Sequence, residues 1–265
     1  MQAQPDHSST SGFTHLRARA GRFRQWLRTG LLLRLSPDKQ VRYLGWDAPT
    51  ESLDETVNKH LDHPAKALAL DWLEREPLLP EKFTLLDVGC GPGVLPAMIE
   101  QRLTLKNRIS YTGIDQSEPA LERCRAAYQG DFRFLKINLQ TEQIPERYDV
   151  VMISEVIEHL PDYREVIESA LALKPRVFVL TTFGAIPGLR RDRLRWNEKH
   201  QAYMNSYSFA RLYEYLRGKT DQIWVADFGT QDFTRYWFPR KALLVFYLRL
   251  AEKRTLWTQQ GWVTQ

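Results

Sequence analysis

Leu85-Leu86-Asp87-Val88-Gly89-Cys90-Gly91-Pro92-Gly93 is the stretch on which the reading of this chain turns. Its first half is an apolar run broken by one acid, the texture of a buried strand, and its second half is a glycine-rich turn. A helical run near Leu95–Leu103 follows. Glycines at such a turn let the backbone approach a ligand closely, and the helix N-terminus offers unpaired N–H groups. Asp115 comes after the next predicted strand, 22 residues beyond Gly93. An acid at that place can accept both ribose hydroxyls of a bound nucleoside. The spacing is G-x-G-x-G. A dinucleotide turn needs its third glycine one residue later, where Val94 stands.

Outward from this turn, short apolar runs alternate with helical periods. Strands are expected at Thr84–Val88, Ile109–Ile114, Phe132–Ile137, Tyr148–Ile153 and Val177–Thr182. Helices are expected near Glu118–Tyr128 and Asp162–Leu173. Such alternation implies a doubly wound α/β fold with a parallel sheet. After a further helix at Ser208–Arg217 the order changes. Gln222–Phe228 and Ala242–Leu248 follow with no helix between them and should pair antiparallel. Upstream, Pro64 reads as the first residue of a helix to about Glu76, with Ala65, Leu68, Ala69, Trp72 and Leu73 on one face. After Ser36-Pro37-Asp38 an irregular stretch is expected through Asp47-Ala48-Pro49.

The glycine turn, Asp87, Asp115 and the terminal strand pair together resemble the core of the class I S-adenosylmethionine-dependent methyltransferases, over about residues 83–183. The core also resembles the ubiquinone-pathway O-methyltransferases. The resemblance implies a seven-stranded sheet of order 3-2-1-4-5-7-6, strand 7 antiparallel, with S-adenosylmethionine over the carboxyl ends of strands 1 and 2. It also implies that Gly89, Cys90, Gly91 and Gly93 line the methionine part and that Asp87 helps place it. Asp115 would take the ribose hydroxyls with Gln116 beside the adenine. Asn138 and Leu139 stand where many relatives carry an Asp against the adenine amino group. Asn138 departs from that pattern, though its amide can accept the same hydrogen bond.

A second constellation runs from Ser154 through Glu155-Val156-Ile157-Glu158-His159. Ser154 is expected at the end of strand four, beside the transferable methyl. On a helical turn Glu155, Glu158 and His159 would share one face. Two carboxylates and an imidazole there can hold a divalent ion, or supply a general base. The string is similar to that of two metal-using branches, the ubiquinone-pathway O-methyltransferases and the enzymes that methylate the 3′-terminal 2′-hydroxyl of small RNAs. The latter add a downstream histidine, a place that His200 can fill. His159 is the first candidate for the base and His200 the second, because an imidazole titrates near neutral pH. Cys90 lacks an activating base and reads as an inert thiol.

The chain has 37 basic and 32 acidic residues, a formal charge of +5. The excess is concentrated in Arg17–Arg42 and in Arg190, Arg191, Arg193 and Arg195, places where anionic partners would gather or where long stems cover apolar surface. The second cluster sits in an insertion, 184–205, expected as a substrate lid whose Trp196 and Tyr203 pack on the core or stack on bases. Residues 1–12 read as a disordered tail, 13–62 as a basic helical extension, 63–254 as the methyltransferase domain and 255–265 as a C-terminal tail. No apolar run approaches the roughly 20 residues of a membrane span. Two cysteines cannot build a disulfide framework, so a reduced, cytoplasmic setting is expected, with peripheral contact to anionic membrane or phosphate groups as a further expectation.

Three functions follow as expectations. The first is O-methylation of a small-molecule, lipid or glycan-type acceptor. The second is 2′-O-methylation of RNA with metal assistance, its phosphates held by the two basic clusters. The third is a non-catalytic module that binds S-adenosylmethionine without turnover. Intact glycines with Asp115 argue for cofactor binding in every case.

Overall fold

The computed structural model describes residues 41, 43–138, 142, 144, 146–228 and 243–250, together with the backbone of 255–258 and 261–264. These belong to a compact unit that starts at Val41. The expected tail 1–12 and the basic amphipathic run at 13–35 lie outside the described residues. The boundary expected at 62/63 instead falls inside the unit, because helix α1, Thr50–Lys59, is part of it. No separate helix was expected at these residues. Only Leu53 and Val57 face inward, one apolar pair in a helix of ten residues, which leaves little periodicity to detect.

Helix α2, Pro64–Glu74, opens on proline at its first turn, with His63 as its cap. Its buried residues are Ala65, Lys66, Ala69, Leu70 and Leu73, while Leu68 and Trp72 are only half-buried. The core face is thus rotated by about one position from the expected one, and it carries a lysine. Strand β1, Phe83–Val88, leads through the glycine turn into α3, Val94–Glu100. A short α4, Leu103–Lys106, precedes β2, Ile109–Asp115. Then come α5 (Glu118–Ala127), β3 (Phe132–Lys136), β4 (Val150–Ser154), α6 (Tyr163–Ala172) and β5 (Val177–Thr182).

The sequence 184–205 is not a bare loop. It carries β6 (Ala185–Ile186), β7 (Trp196–Asn197) and β8 (Ala202–Tyr203), with β9 (Tyr207–Ser208) just beyond. β6 pairs parallel with β9, and β7 pairs antiparallel with β8. After α7 (Phe209–Arg217), β10 (Ile223–Asp227) and β11 (Leu244–Arg249) complete the main sheet. The stretch expected as a C-terminal tail holds a further antiparallel pair, β12 (Thr255–Thr258) with β13 (Gly261–Thr264).

The seven-stranded sheet runs β3-β2-β1-β4-β5-β11-β10. β11 is antiparallel to both β5 and β10, and the pairs among β1 to β5 are parallel. This is the expected order, with β11 and β10 as the seventh and sixth strands. Alternation along each central strand builds two cores. Leu85, Val150, Met152, Val177 and Val179 face α2, α3 and α5. Leu86, Val151, Ile153, Phe178 and Leu180 face α6 and α7. Strands apolar on both sides can exist only where helices cover both faces, which explains their nearly continuous apolar sequence. The carboxyl ends of β1, β2, β4 and β5 therefore emerge together at one edge, where the chain must change direction. A crevice forms there in open α/β sheets.

Candidate active site

A cavity of about 280 Å³ opens over these strand ends. One side is walled by the turn Gly89 to Pro92, Asp87, Asp115, Gln116, Ile137 and Asn138; the other by Tyr43, His159, Phe183 and Met204. His60, His63 and Lys66 border it from α1 and α2.

The glycine turn is shaped by its neighbours. Gly89 has φ +72°, and a Cβ there would collide with the Val156 side chain. Gly91 has φ +53°, and a Cβ would press on the Trp46 indole at 3.1 Å. Only glycine combines that backbone conformation with that closeness. Asp115 fixes the turn from β2. Its Oδ2 accepts from the Gly91 amide at 2.8 Å and its Oδ1 from the Ser117 amide at 2.9 Å. Each carboxylate oxygen has a second lone pair, so both can accept a further hydrogen bond. Burial raises the Asp115 carboxyl above its usual value, against the amides that lower it. Asp87 is 2% exposed and accepts from the Tyr111 hydroxyl at 2.7 Å. Burial pushes its carboxyl up to about 6.

Between β4 and α2 lies a charged group that sequence reasoning missed. Lys66 Nζ donates to Ser154 Oγ at 2.7 Å and stands 3.7 Å from Glu155 Oε2. Ser154 Oγ shares a hydrogen bond with Thr181 Oγ1 at 2.7 Å. His63 Nε2 lies 2.7 Å from Glu155 Oε1. Burial alone would raise the Glu155 carboxyl; Lys66 and His63 overcome it and hold it down at about 2. Glu155 itself has φ +57°, the left-handed region, where a non-glycine residue costs on the order of 1 kcal/mol or more. A lysine on the buried face of α2, among Ala65, Ala69 and Leu70, was the signal available in the sequence.

Residues Ile157–His159 form a single 3-10 turn rather than an α-helical one. Three side chains expected on one face therefore part. Glu155 turns to α2. Glu158, fully buried, turns toward the end of β5, where Oε1 accepts from the Thr182 hydroxyl and from the amides of Phe183 (2.7 Å) and Gly184 (3.0 Å). His159 turns toward the cavity, its Nδ1 2.9 Å from the carbonyl of Tyr203. A carbonyl can only accept, so Nδ1 carries the proton and the basic lone pair of the neutral ring is on Nε2. This arrangement does not fit a divalent ion, and among the described residues no group of three His, Cys, Asp or Glu side chains could hold one. Tyr43 also has a positive φ, +33°, and its ring packs on His159 with centroids 4.3 Å apart and on His200 at 6.3 Å.

Residues 86–176 match the family described as a methyltransferase domain. The ubiquinone biosynthesis O-methyltransferase of Pseudomonas paraeruginosa is 35% identical over 127 residues, 45% of this chain and 52% of that one. The chain thus spans about half the length of the curated relatives it matches. Among solved structures, the N-terminal domain of EvdMO1 with SAH bound aligns with a TM-score of 0.53, at 15% identity over 71% of this chain and 81% of that one. The 1,6-didemethyltoxoflavin-N1-methyltransferase of Burkholderia thailandensis aligns with a TM-score of 0.50, at 15% identity over 93% of both chains. At that identity these two likenesses concern the fold. Residues 86–176 thus match a methyltransferase domain, on a sheet whose strand order is the one expected for the class I S-adenosylmethionine-dependent methyltransferases.

The strand ends bring Asp87, Gly89, Cys90, Gly91, Asp115, Gln116, Asn138 and Ser154 to one cavity. Gly93 is a correction. It is not among the lining residues, and a Cβ there would meet Cys124 Sγ and Tyr128 at 2.8 Å, so it serves the packing of α5 against the turn. His200 is the second correction. It is absent from the lining; its ring packs on Tyr43, its carbonyl accepts from the Leu44 amide at 2.9 Å and its amide donates to Asn197 Oδ1 at 3.3 Å. Leu139 lies outside the described residues. The Cys90 thiol is pushed up by its hydrogen bond with Cys124 and by burial, consistent with an inert group. Tyr43, Trp46, His63, Lys66, Phe183 and Met204 are lining residues that no motif announced. Among the described residues, no helix is long and apolar enough to cross a membrane.

Proposed function

We propose that this chain is an S-adenosylmethionine-dependent methyltransferase acting on a hydroxyl oxygen of a small-molecule, lipid or glycan-type acceptor. The observation that carries the reading is the pairing, across one cavity, of a glycine-and-aspartate wall with a histidine whose basic nitrogen is defined. A turn in which a Cβ would fill the cradle, with the buried Asp115 behind it, suits a nucleoside with a polar tail. Asp115 would hold the ribose hydroxyls, Gln116 and Asn138 would border the adenine, and the backbone of Gly89 to Gly91 with Asp87 would receive the methionine part. When bound, S-adenosylmethionine supplies an electrophilic methyl on a sulfonium.

The chain's own residues then have three tasks. Phe183 and Met204 wall the acceptor side and limit water. Tyr43 packs on His159 and restrains the ring. His159 takes the acceptor's proton on Nε2, while the Tyr203 carbonyl holds Nδ1–H and stabilises the imidazolium as it forms. Alignment of a nucleophile with a reactive methyl, plus removal of one proton, is all that such a transfer needs. The ubiquinone-pathway relatives, named as O-methyltransferases, support oxygen as the methylated atom. The test is to incubate the full chain with methyl-labelled S-adenosylmethionine and a metabolite and lipid extract, then identify the labelled product by mass spectrometry. A labelled methyl ether is expected. A product labelled only on nitrogen or carbon would contradict the choice of oxygen.

A further inference from the structure

We infer that Glu158 is a positioning residue that fastens both ends of the 184–205 insertion to the turn carrying His159, and that it thereby sets the tautomer of that histidine. The inference rests on the proposed function only for its catalytic consequence. Glu158 is 0% exposed and grips the insertion twice. At the outgoing end its side chain accepts from the Thr182 hydroxyl and from the amides of Phe183 and Gly184. At the returning end its backbone carbonyl accepts from the Asn205 amide at 2.9 Å. Gly184 is built for this contact, since a Cβ there would come within 2.6 Å of Glu158 Cγ.

The return of the insertion is closed by a second set of bonds to the same turn. Asn205 Nδ2 donates to the Leu160 carbonyl at 2.7 Å, and the Tyr207 hydroxyl donates to the Ile157 carbonyl at 2.6 Å. Two residues before Asn205 is Tyr203, whose carbonyl holds His159 Nδ1. The carbonyl that selects the tautomer of the base thus belongs to a segment whose backbone is pinned by the base's own neighbour. Three donors on one buried carboxyl oxygen are costly to lose, because the Phe183 amide loses its bond to Oε1 and the Gly184 amide keeps its 3.0 Å bond to Thr182 Oγ1 alone of the two. Burial raises the Glu158 carboxyl above its usual value, so a neutral amide of the same shape is a fair substitute.

The test needs no acceptor. In the full chain labelled with ¹⁵N-histidine, the ring nitrogens of His159, assigned by comparison with His159→Gln, should report a single Nδ1–H tautomer above the titration of the ring. Glu158→Gln should keep that pattern. Glu158→Ala should mix the two tautomers and speed hydrogen exchange at the Phe183 and Gly184 amides at least tenfold, with the Asn205 amide, held by the backbone carbonyl, less affected and S-adenosylmethionine affinity within about twofold of the parent. An unchanged tautomer and unchanged exchange in Glu158→Ala would overturn the inference. If that variant does not fold, Thr182→Val removes one donor and leaves the carboxyl; exchange at Phe183 and Gly184 should rise severalfold, and parental exchange there would overturn the inference. A parent that binds no S-adenosylmethionine would contradict the proposed function, with the tautomer and exchange measurements still deciding the role of Glu158.

Discussion

His159 differs from an ordinary cavity histidine in having one nitrogen committed to a backbone carbonyl. That commitment makes the proton-accepting position definite, and a definite position is what general-base catalysis requires. His159→Ala should lower turnover by about 10²–10⁴-fold and leave S-adenosylmethionine affinity within about twofold, since no part of the glycine and aspartate wall changes. Steady-state kinetics beside calorimetry checks both; equal turnover in variant and parent would leave alignment alone as the catalytic device. Asp87 offers a second residue-scale test. Its folded value near 6 exceeds the ordinary 3.8, so between these limits the folded state binds more protons than the unfolded state. Stability contributed by this group therefore falls as pH rises from about 4 to 6. Asp87→Asn keeps an acceptor for Tyr111 and removes the charge. The stability of the variant relative to the parent should climb across that window, by at most about 3 kcal/mol for a two-unit shift. Melting or urea midpoints at each pH would show it, and a constant difference would contradict it. Glu155 works in the opposite sense, its stabilisation present above about 4.5 and lost as pH falls toward 2.

At the scale of elements, the glycine turn and the strands themselves were legible because each rests on local sequence, while the order of the strands came from the resemblance to the methyltransferase family. Leu85-Leu86 beside Val150-Val151-Met152-Ile153 can only be strands buried on both faces, and a turn with three glycines can only be tight. What stayed hidden depends on contacts across the chain. Lys66 looks like any helix lysine until α2 packs on β4, and Glu158 looks like a partner of Glu155 until a 3-10 turn replaces the expected α-helical one. Tyr43 and Trp46 come from a segment without periodicity, and only the folded chain lays them against His159 and Gly91. The turn also yields a test of its packing. Gly89→Ala should destabilise the fold by at least about 1 kcal/mol from its positive φ, with a further cost from the clash with Val156. Adding Val156→Ala should recover part of the loss and not all of it, because the backbone strain remains. Additive effects of the two substitutions in chemical denaturation would mean that Gly89 and Val156 are not coupled.

For the molecule as a whole, the cavity draws on α1, α2 and the strand ends, and among the described residues its lining starts at Val41, ahead of residue 63. A chain beginning at Pro37 should keep S-adenosylmethionine affinity within about twofold, whereas one beginning at Pro64, stripped of Tyr43, Trp46, His60 and His63, should lose at least tenfold. Calorimetry on the two shortened chains separates these outcomes, and strong loss in the longer one would place residues 1–36 in the cofactor site. The claim on which the rest depends is that Asp115, at the end of β2, holds the nucleoside of S-adenosylmethionine over the glycine turn. Isothermal titration of the full chain with S-adenosylmethionine, parent against Asp115→Ala, tests it most directly. Two charge-assisted hydrogen bonds at about 1.5–3 kcal/mol each predict one site per parent chain and at least a tenfold weaker one in the variant. Unchanged affinity in a variant that remains folded, or no binding by the parent, would contradict the account.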